Sequence, residues 1–181
     1  MTAALDAALG AFSSELARWG ARMNLVGSTD SDAIRRHVED SLAAAAHLPP
    51  EAAVVDLGSG AGFPGIPLAI ARPDLRLTLV EIREKRVAFL RHVARELALS
   101  IEIRPTSIET PSGPDFDFAL LRAVARPERS LQLGLAWVNA SGEVWIWSGP
   151  AAQLSGADEI PLESGGRILR IRAADLSRGT D

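Results

Sequence analysis

The ten residues Asp56-Leu57-Gly58-Ser59-Gly60-Ala61-Gly62-Phe63-Pro64-Gly65 constrain this chain more than any other segment. The apolar run Val54-Val55-Asp56-Leu57 reads as a strand leading into them, and residues 64–71 read as a short helix leading out, with Pro64 tolerated in the first turn. Glycines between a strand and a helix permit a tight turn and let backbone N–H groups approach a ligand closely. Further strands are expected at residues 75–81, 101–103, 116–121, 143–147 and 167–172, and helices at 85–99 and 127–138. Short β-branched runs alternating with helical patterns mark βαβ units. The expected fold is therefore α/β and Rossmann-like, a mostly parallel twisted sheet with helices on both faces.

Two helices precede the sheet. Leu5, Leu9, Phe12, Leu16 and Trp19 fall on one stripe, which predicts a helix over residues 2–20 ended by Gly20. A second helix is expected to start near Thr29–Asp32, to turn Ile34, Val38 and Leu42 inward, and to stop at Pro49-Pro50. With 181 residues, 47% of them hydrophobic, the chain fills one core of ordinary size. The expected organisation is a single domain, 1–181, with an N-terminal helical lid, 1–50, and a core, 51–181.

Composition removes several chemistries. Cysteine is absent, so there is no disulfide framework, thiolate metal site or cysteine nucleophile. The three histidines, His37, His47 and His92, have no close spacing with one another and acids, and no metal is expected. No apolar run is long enough to cross a bilayer and no secretory pattern opens the chain, so a cytoplasmic protein without a membrane partner is expected. Net charge is −4, yet arginines cluster at Arg35-Arg36, between Arg83 and Arg95, and at Arg122, Arg126 and Arg129. Such runs usually face water, although clustered cations are also what phosphate contacts require.

Glu81 closes the second strand about twenty residues after the glycine loop, where an acid accepts hydrogen bonds from ribose hydroxyls. Dinucleotides and S-adenosylmethionine both fit that geometry. Asp56, two residues before the first glycine, separates them: its charge is adverse beside a pyrophosphate and useful beside a sulfonium and an ammonium. Asp56 either contacts the cofactor or braces the loop, and the residue pattern leaves both open.

At this point the chain resembles the bacterial small-subunit ribosomal RNA guanine-N7 methyltransferases, the glucose-inhibited division protein B family. The resemblance rests on Asn24-Leu25, on Arg36-His37-Val38-Glu39-Asp40-Ser41-Leu42, and on the loop from Asp56 with its Gly-Phe-Pro-Gly-Ile-Pro. It continues through Glu81, Lys85-Arg86 and Phe89-Leu90 to Arg122-Ala123. It implies a Rossmann-like class I fold, S-adenosyl-L-methionine as methyl donor and 16S ribosomal RNA in the small subunit as partner; nothing in the residue pattern demands a dimer, and a monomer is expected. It also implies cofactor contacts at Gly58, Phe63, Ile108, Glu109 and Arg122, with Glu81 at the ribose; Asp56 and Gly60 join them from the loop itself. Ile108-Glu109 follows the third strand and so lies at the carboxyl edge, where ligands of open α/β sheets bind. Base holders are expected at Asn24, Arg36, His37 and Arg122.

Guanine N7 carries a free lone pair, so methyl transfer proceeds by in-line displacement without a general base, and positioning supplies the catalysis. A donor on N7 would block that lone pair, which assigns Arg122 to O6 or a phosphate. Trp137, Trp145 and Trp147 read as core. One position departs from the family: Ser148-Gly149 stands where relatives carry Lys-Gly. Three other readings compete: an RNA- or ribosome-binding module without catalysis, a NAD-binding oxidoreductase and a small-molecule methyltransferase.

Overall fold

The structure is a computed structural model that describes residues 2–23, 30–113 and 115–176. Seven strands form one sheet in the order β3-β2-β1-β4-β5-β7-β6. They are β1 (Ala53–Leu57), β2 (Arg76–Val80), β3 (Glu102–Arg104), β4 (Phe116–Arg122), β5 (Val138–Ser148), β6 (Asp158–Pro161) and β7 (Arg167–Arg172). β3, β2, β1, β4 and β5 run parallel, while β7 is antiparallel to both β5 and β6. Strand order reverses between β1 and β4, which makes their carboxyl ends the topological switch point of the sheet.

β1 is buried on both faces, as its unbroken apolar run requires. Alternate residues divide between two cores. Val54, Leu77, Leu79, Phe118, Leu120 and Trp145 face one way and Val55, Leu57, Val80, Ala119, Leu121 and Ile146 the other. Against the first face lie α1 (Ala3–Met23), α2 (Ser31–Leu42), α3 (Gly65–Ala71) and α4 (Glu84–Glu96). Against the second lie α5 (Pro127–Leu135), through Leu133, and the short α6 (Ala173–Leu176), through Ala173. Trp137 closes that core and donates its Nε1–H to the Ile108 carbonyl at 2.8 Å.

The two amino-terminal helices join the first core. Leu9, Phe12 and Leu16 of α1 and Ile34 and Val38 of α2 are buried there, on the predicted stripes. Asp30 caps α2 by accepting from the Ala33 N–H at 3.2 Å.

Several boundaries differ from those expected. α1 runs through Gly20, which is buried, to Met23. α2 stops at Leu42, and a 3-10 turn, Ala45–His47, fills the gap to Pro49. Val138 opens β5 instead of closing α5. β6 was absent from the expected elements: it is held by pairing with β7 and buries only Ile160. No described helix is long and apolar enough to cross a membrane.

Candidate functional site

The first half of the site is backbone. Leaving β1, the chain is pinned by Gly58 and Ser59, whose N–H groups donate to the Val80 carbonyl at 2.8 and 3.0 Å, and by Gly62, which donates to Ser59 O at 2.7 Å. Gly58, Gly60 and Gly62 take φ of +75°, +56° and +92°, a region that disfavours a Cβ. Gly65 needs its hydrogen for another reason: a Cβ there would strike Leu79 and come within 2.7 Å of Asp56 Oδ2. That close approach seats α3 on the sheet.

Two buried acids face this loop. Glu81, 4% exposed, accepts from Gly60 N–H at 3.0 Å and from Arg83 N–H at 2.8 Å, and Arg86 Nη1 lies 3.6 Å from its Oε2. Asp56, 1% exposed, accepts the Gly65 N–H on Oδ2 at 3.1 Å, which caps the start of α3. Its Oδ1 is buried without a hydrogen-bond partner. Burial pushes the Asp56 carboxyl up to about 7, against the pull of the Gly65 hydrogen bond. Bracing is therefore observed on Oδ2, and a buried carboxylate oxygen without a partner, Oδ1, suits a cationic ligand.

The second half is made of side chains at the ends of β4 and β5, tied to α2. Arg122 donates from Nη1 to His37 O at 3.1 Å and Ser41 Oγ at 3.4 Å. From Nη2 it reaches His37 Nδ1 at 2.7 Å and Asp40 Oδ2 at 3.1 Å. A guanidinium only donates, so His37 Nδ1 is the acceptor and a neutral ring carries its proton on Nε2. Burial, then the Arg122 charge, depress the His37 pKa and keep it neutral. Trp147 donates from Nε1 to Asp40 O at 2.9 Å. Between these groups and the β6–β7 turn lies a cleft of about 430 Å³, lined by Asp40, Arg122, Trp147, Ser148, Leu162 and Gly166 among others.

Phe63 joins the halves. Its ring is 8% exposed, 5.4 Å from that of Phe12, 5.3 Å from that of His37, and 5.8 Å from the Arg122 guanidinium. Ala123, directly after Arg122, adopts φ of +55°, and Val124 comes within 3.2 Å of where a Gly58 Cβ would sit. Strain of this kind in a non-glycine residue concentrates at functional sites.

Of the residues singled out in the sequence, Asp56, Gly58, Gly60, Phe63, Glu81, His37 and Arg122 converge on the switch point. Ile108 and Glu109 lie on the loop after β3; Ile108 is half-buried against the second core, and Glu109 is exposed and pairs with Arg129 at 2.8 Å. Arg36 is exposed on α2. Asn24 lies outside the described residues. Asp40, Ser41 and Trp147 brace or line the cleft as well, a part the residue pattern alone does not assign to them. Ile82, directly after Glu81, is 62% exposed, high for a large apolar side chain. No group of three or more His, Asp and Glu side chains suited to a metal occurs among the described residues.

Comparison with known proteins places this geometry. In fold, the chain is similar to a SAM dependent methyltransferase from Aquifex aeolicus, with a TM-score of 0.63 at 14% identity, covering 80% of this chain and 94% of that one. In sequence it is similar to ribosomal RNA small subunit methyltransferase G from Anaeromyxobacter sp. (strain Fw109-5), 35% identical over 172 residues, which are 92% of this chain and 78% of that protein. The protein of the same name from Desulfotalea psychrophila is 42% identical over 118 residues, 61% of this chain and 54% of the relative. The model of the family described as rRNA small subunit methyltransferase G matches residues 6–159, which include the glycine loop and the Asp40, Arg122 and Trp147 wall of the cleft, and the chain belongs to that family.

Proposed function

We propose that this protein transfers a methyl group from S-adenosylmethionine to N7 of a guanine in 16S ribosomal RNA of the small subunit. The observation that carries the reading is the family match over residues 6–159, which spans a glycine loop and the Asp40, Arg122 and Trp147 wall of a cleft meeting at one switch point. The loop fits the cofactor chemically. Three glycines at positive φ open the backbone, Glu81 offers a carboxylate for the ribose, and the unpartnered Asp56 Oδ1 suits an ammonium or sulfonium. Ile82, exposed directly after Glu81, and Ile108, on the loop after β3 beside Glu109, offer apolar surface suited to an adenine. The Phe63 ring is already engaged, so its contact with the cofactor would come from its backbone.

When bound, the sulfonium supplies an electrophilic methyl group. The chain's own residues then position and desolvate the base. His37 is neutral and its Nδ1 is taken by Arg122, so it orients Arg122 and abstracts no proton; N7 requires none removed. Arg122 contacts the base at O6, and Arg36, exposed on the same helix, takes a phosphate. Ser148 lies in the cleft at the position where the family resemblance leads lysine to be expected, so less of the affinity there comes from charge.

Labelled methyl transfer to unmodified small ribosomal subunits, read by nucleoside mass spectrometry, tests the proposal. The expected product is 7-methylguanosine. Binding of NAD without binding of S-adenosylhomocysteine overturns it. Gly58→Asp, with a side chain and charge forced into the positive-φ turn, is expected to weaken S-adenosylhomocysteine at least a hundredfold while the chain stays folded.

A further inference from the structure

Asp40 is a buried carboxylate for which in-line methyl transfer has no use. It sits in the last turn of α2, 7% exposed, and lines the cleft at the ends of β4 and β5. Its Oδ2 accepts from Arg122, its backbone carbonyl from Trp147, and its Oδ1 accepts no hydrogen bond from any described residue. Arg122 is committed in the complementary way. Of its five N–H groups, four are spent on His37, Asp40 and Ser41, which leaves the Nε–H without a described partner. Asp40, Arg122 and Trp147 all line the cleft, and in that set one donor, the Arg122 Nε–H, and one acceptor, Asp40 Oδ1, have no described partner.

We infer that Asp40 reads the Watson–Crick edge of the acceptor base and makes the cleft specific for guanine; the inference rests on the function proposed above. Guanine offers O6 as acceptor followed by N1–H and N2–H as donors. Arg122 Nε–H matches O6, and the Asp40 carboxylate matches N1–H and N2–H. Adenine offers a donor where guanine offers O6 and an acceptor where guanine offers N1–H, so it would set donor against donor and acceptor against carboxylate. Reading this edge also leaves N7, on the opposite side of O6, free to react. Uncommitted polar groups in a buried site discriminate strongly because the wrong partner leaves them unpaired.

Binding of mononucleotides to the full chain saturated with S-adenosylhomocysteine tests this without any methyl transfer. Guanosine 5′-monophosphate is expected to bind roughly tenfold more tightly than inosine 5′-monophosphate, which lacks only the N2 amino group, and more tightly still than adenosine 5′-monophosphate. Asp40→Asn is expected to bring the guanosine-to-inosine ratio close to one. If Asp40 served only to hold Arg122, the substitution would weaken both nucleotides and leave their ratio intact, which overturns the inference. Equal binding of the two by the unsubstituted protein, or no saturable guanosine monophosphate binding, overturns it without recourse to a variant. Failure of the methyltransferase reading has a separate signature: no S-adenosylhomocysteine binding, or no 7-methylguanosine in small subunits, whatever the nucleotide ratio.

Discussion

The loop after β1 and the cleft beyond β4 and β5 meet at one switch point but are built by different means. In the loop the ties are backbone N–H groups meeting acids 21 and 9 residues away, Gly60 to Glu81 and Gly65 to Asp56. In the cleft they are side chains reaching across the fold: Arg122 to His37 over 85 residues, and Trp147 to Asp40 over 107. A backbone site depends on which residues are small enough to permit it. A side-chain site depends on two distant elements keeping their relative position, so its geometry is only as firm as the packing of α2 against the sheet.

The largest effect is expected where that smallness is absolute. A Cβ at Gly65 meets Leu79 and the Asp56 carboxylate at once, so Gly65→Val should cost about 4 kcal/mol or more and leave little folded protein at 37 °C, by chemical denaturation. A near-normal midpoint would show that α3 can slide off the sheet without loss. Arg122→Ala should come next. It leaves Asp40 buried without its cationic partner, at a cost of about 3–5 kcal/mol, and should abolish methyl transfer in the fraction that folds. In that fraction S-adenosylhomocysteine affinity should fall only a few-fold, because the loop's hydrogen bonds do not involve Arg122 and the cofactor contact expected of Arg122 is one among several. A parallel collapse of cofactor affinity would show that the halves are one unit.

The same contrast explains what could be read from the sequence. The glycine loop, Glu81 and a start for α2 between Thr29 and Asp32 were legible because short-range chemistry specifies them within a few residues or one βαβ unit. The alternation of helices and strands gave the parallel sheet, and the stripe Leu9-Phe12-Leu16 gave the buried face of α1. β6 was not legible, since Asp158-Glu159-Ile160-Pro161 has one buried residue and no alternation to reveal it; its stability comes from β7. Gly20 misled because glycine ends exposed helices, whereas this one is buried. Asp40 and Trp147 could not be paired at all, because 107 residues of chain separate two groups that only the completed sheet brings together.

Asp56 offers a test confined to the loop. Its folded pKa of about 7 lies above the ordinary 3.8, so between those values the unfolded chain has released a proton that the folded protein retains. Stability should therefore fall as pH rises from about 4 to about 7 and level off above, by at most about 4 kcal/mol. Asp56→Asn should remove that slope and gain on the unsubstituted protein across the same window. Denaturation midpoints measured at pH 4, 6 and 8 check it. A slope that survives in the variant would assign the pH dependence elsewhere. S-adenosylmethionine, if it meets Oδ1, should bind the ionised form better, so its affinity should rise through the same window and lose that rise in the variant.

The smallest effect should be the most discriminating. Trp147→Phe keeps an aromatic ring in the first core but removes the Nε1–H that holds the Asp40 carbonyl at 2.9 Å. One buried acceptor is left unpaired, which costs about 1–2 kcal/mol of stability. Nothing in the glycine loop touches that bond, so S-adenosylhomocysteine should bind the variant within twofold of the unsubstituted protein. The far turn of α2 is loosened, however, and with it the position of Asp40 against Arg122. Methyl transfer should therefore show a raised KM for small subunits at nearly constant kcat, because a displaced Asp40 weakens binding of the base in ground and transition state alike. A fall in kcat at unchanged KM would mean instead that Trp147 fixes the approach of N7 to the methyl group, and would move this tryptophan from the wall of the cleft into the reacting geometry itself.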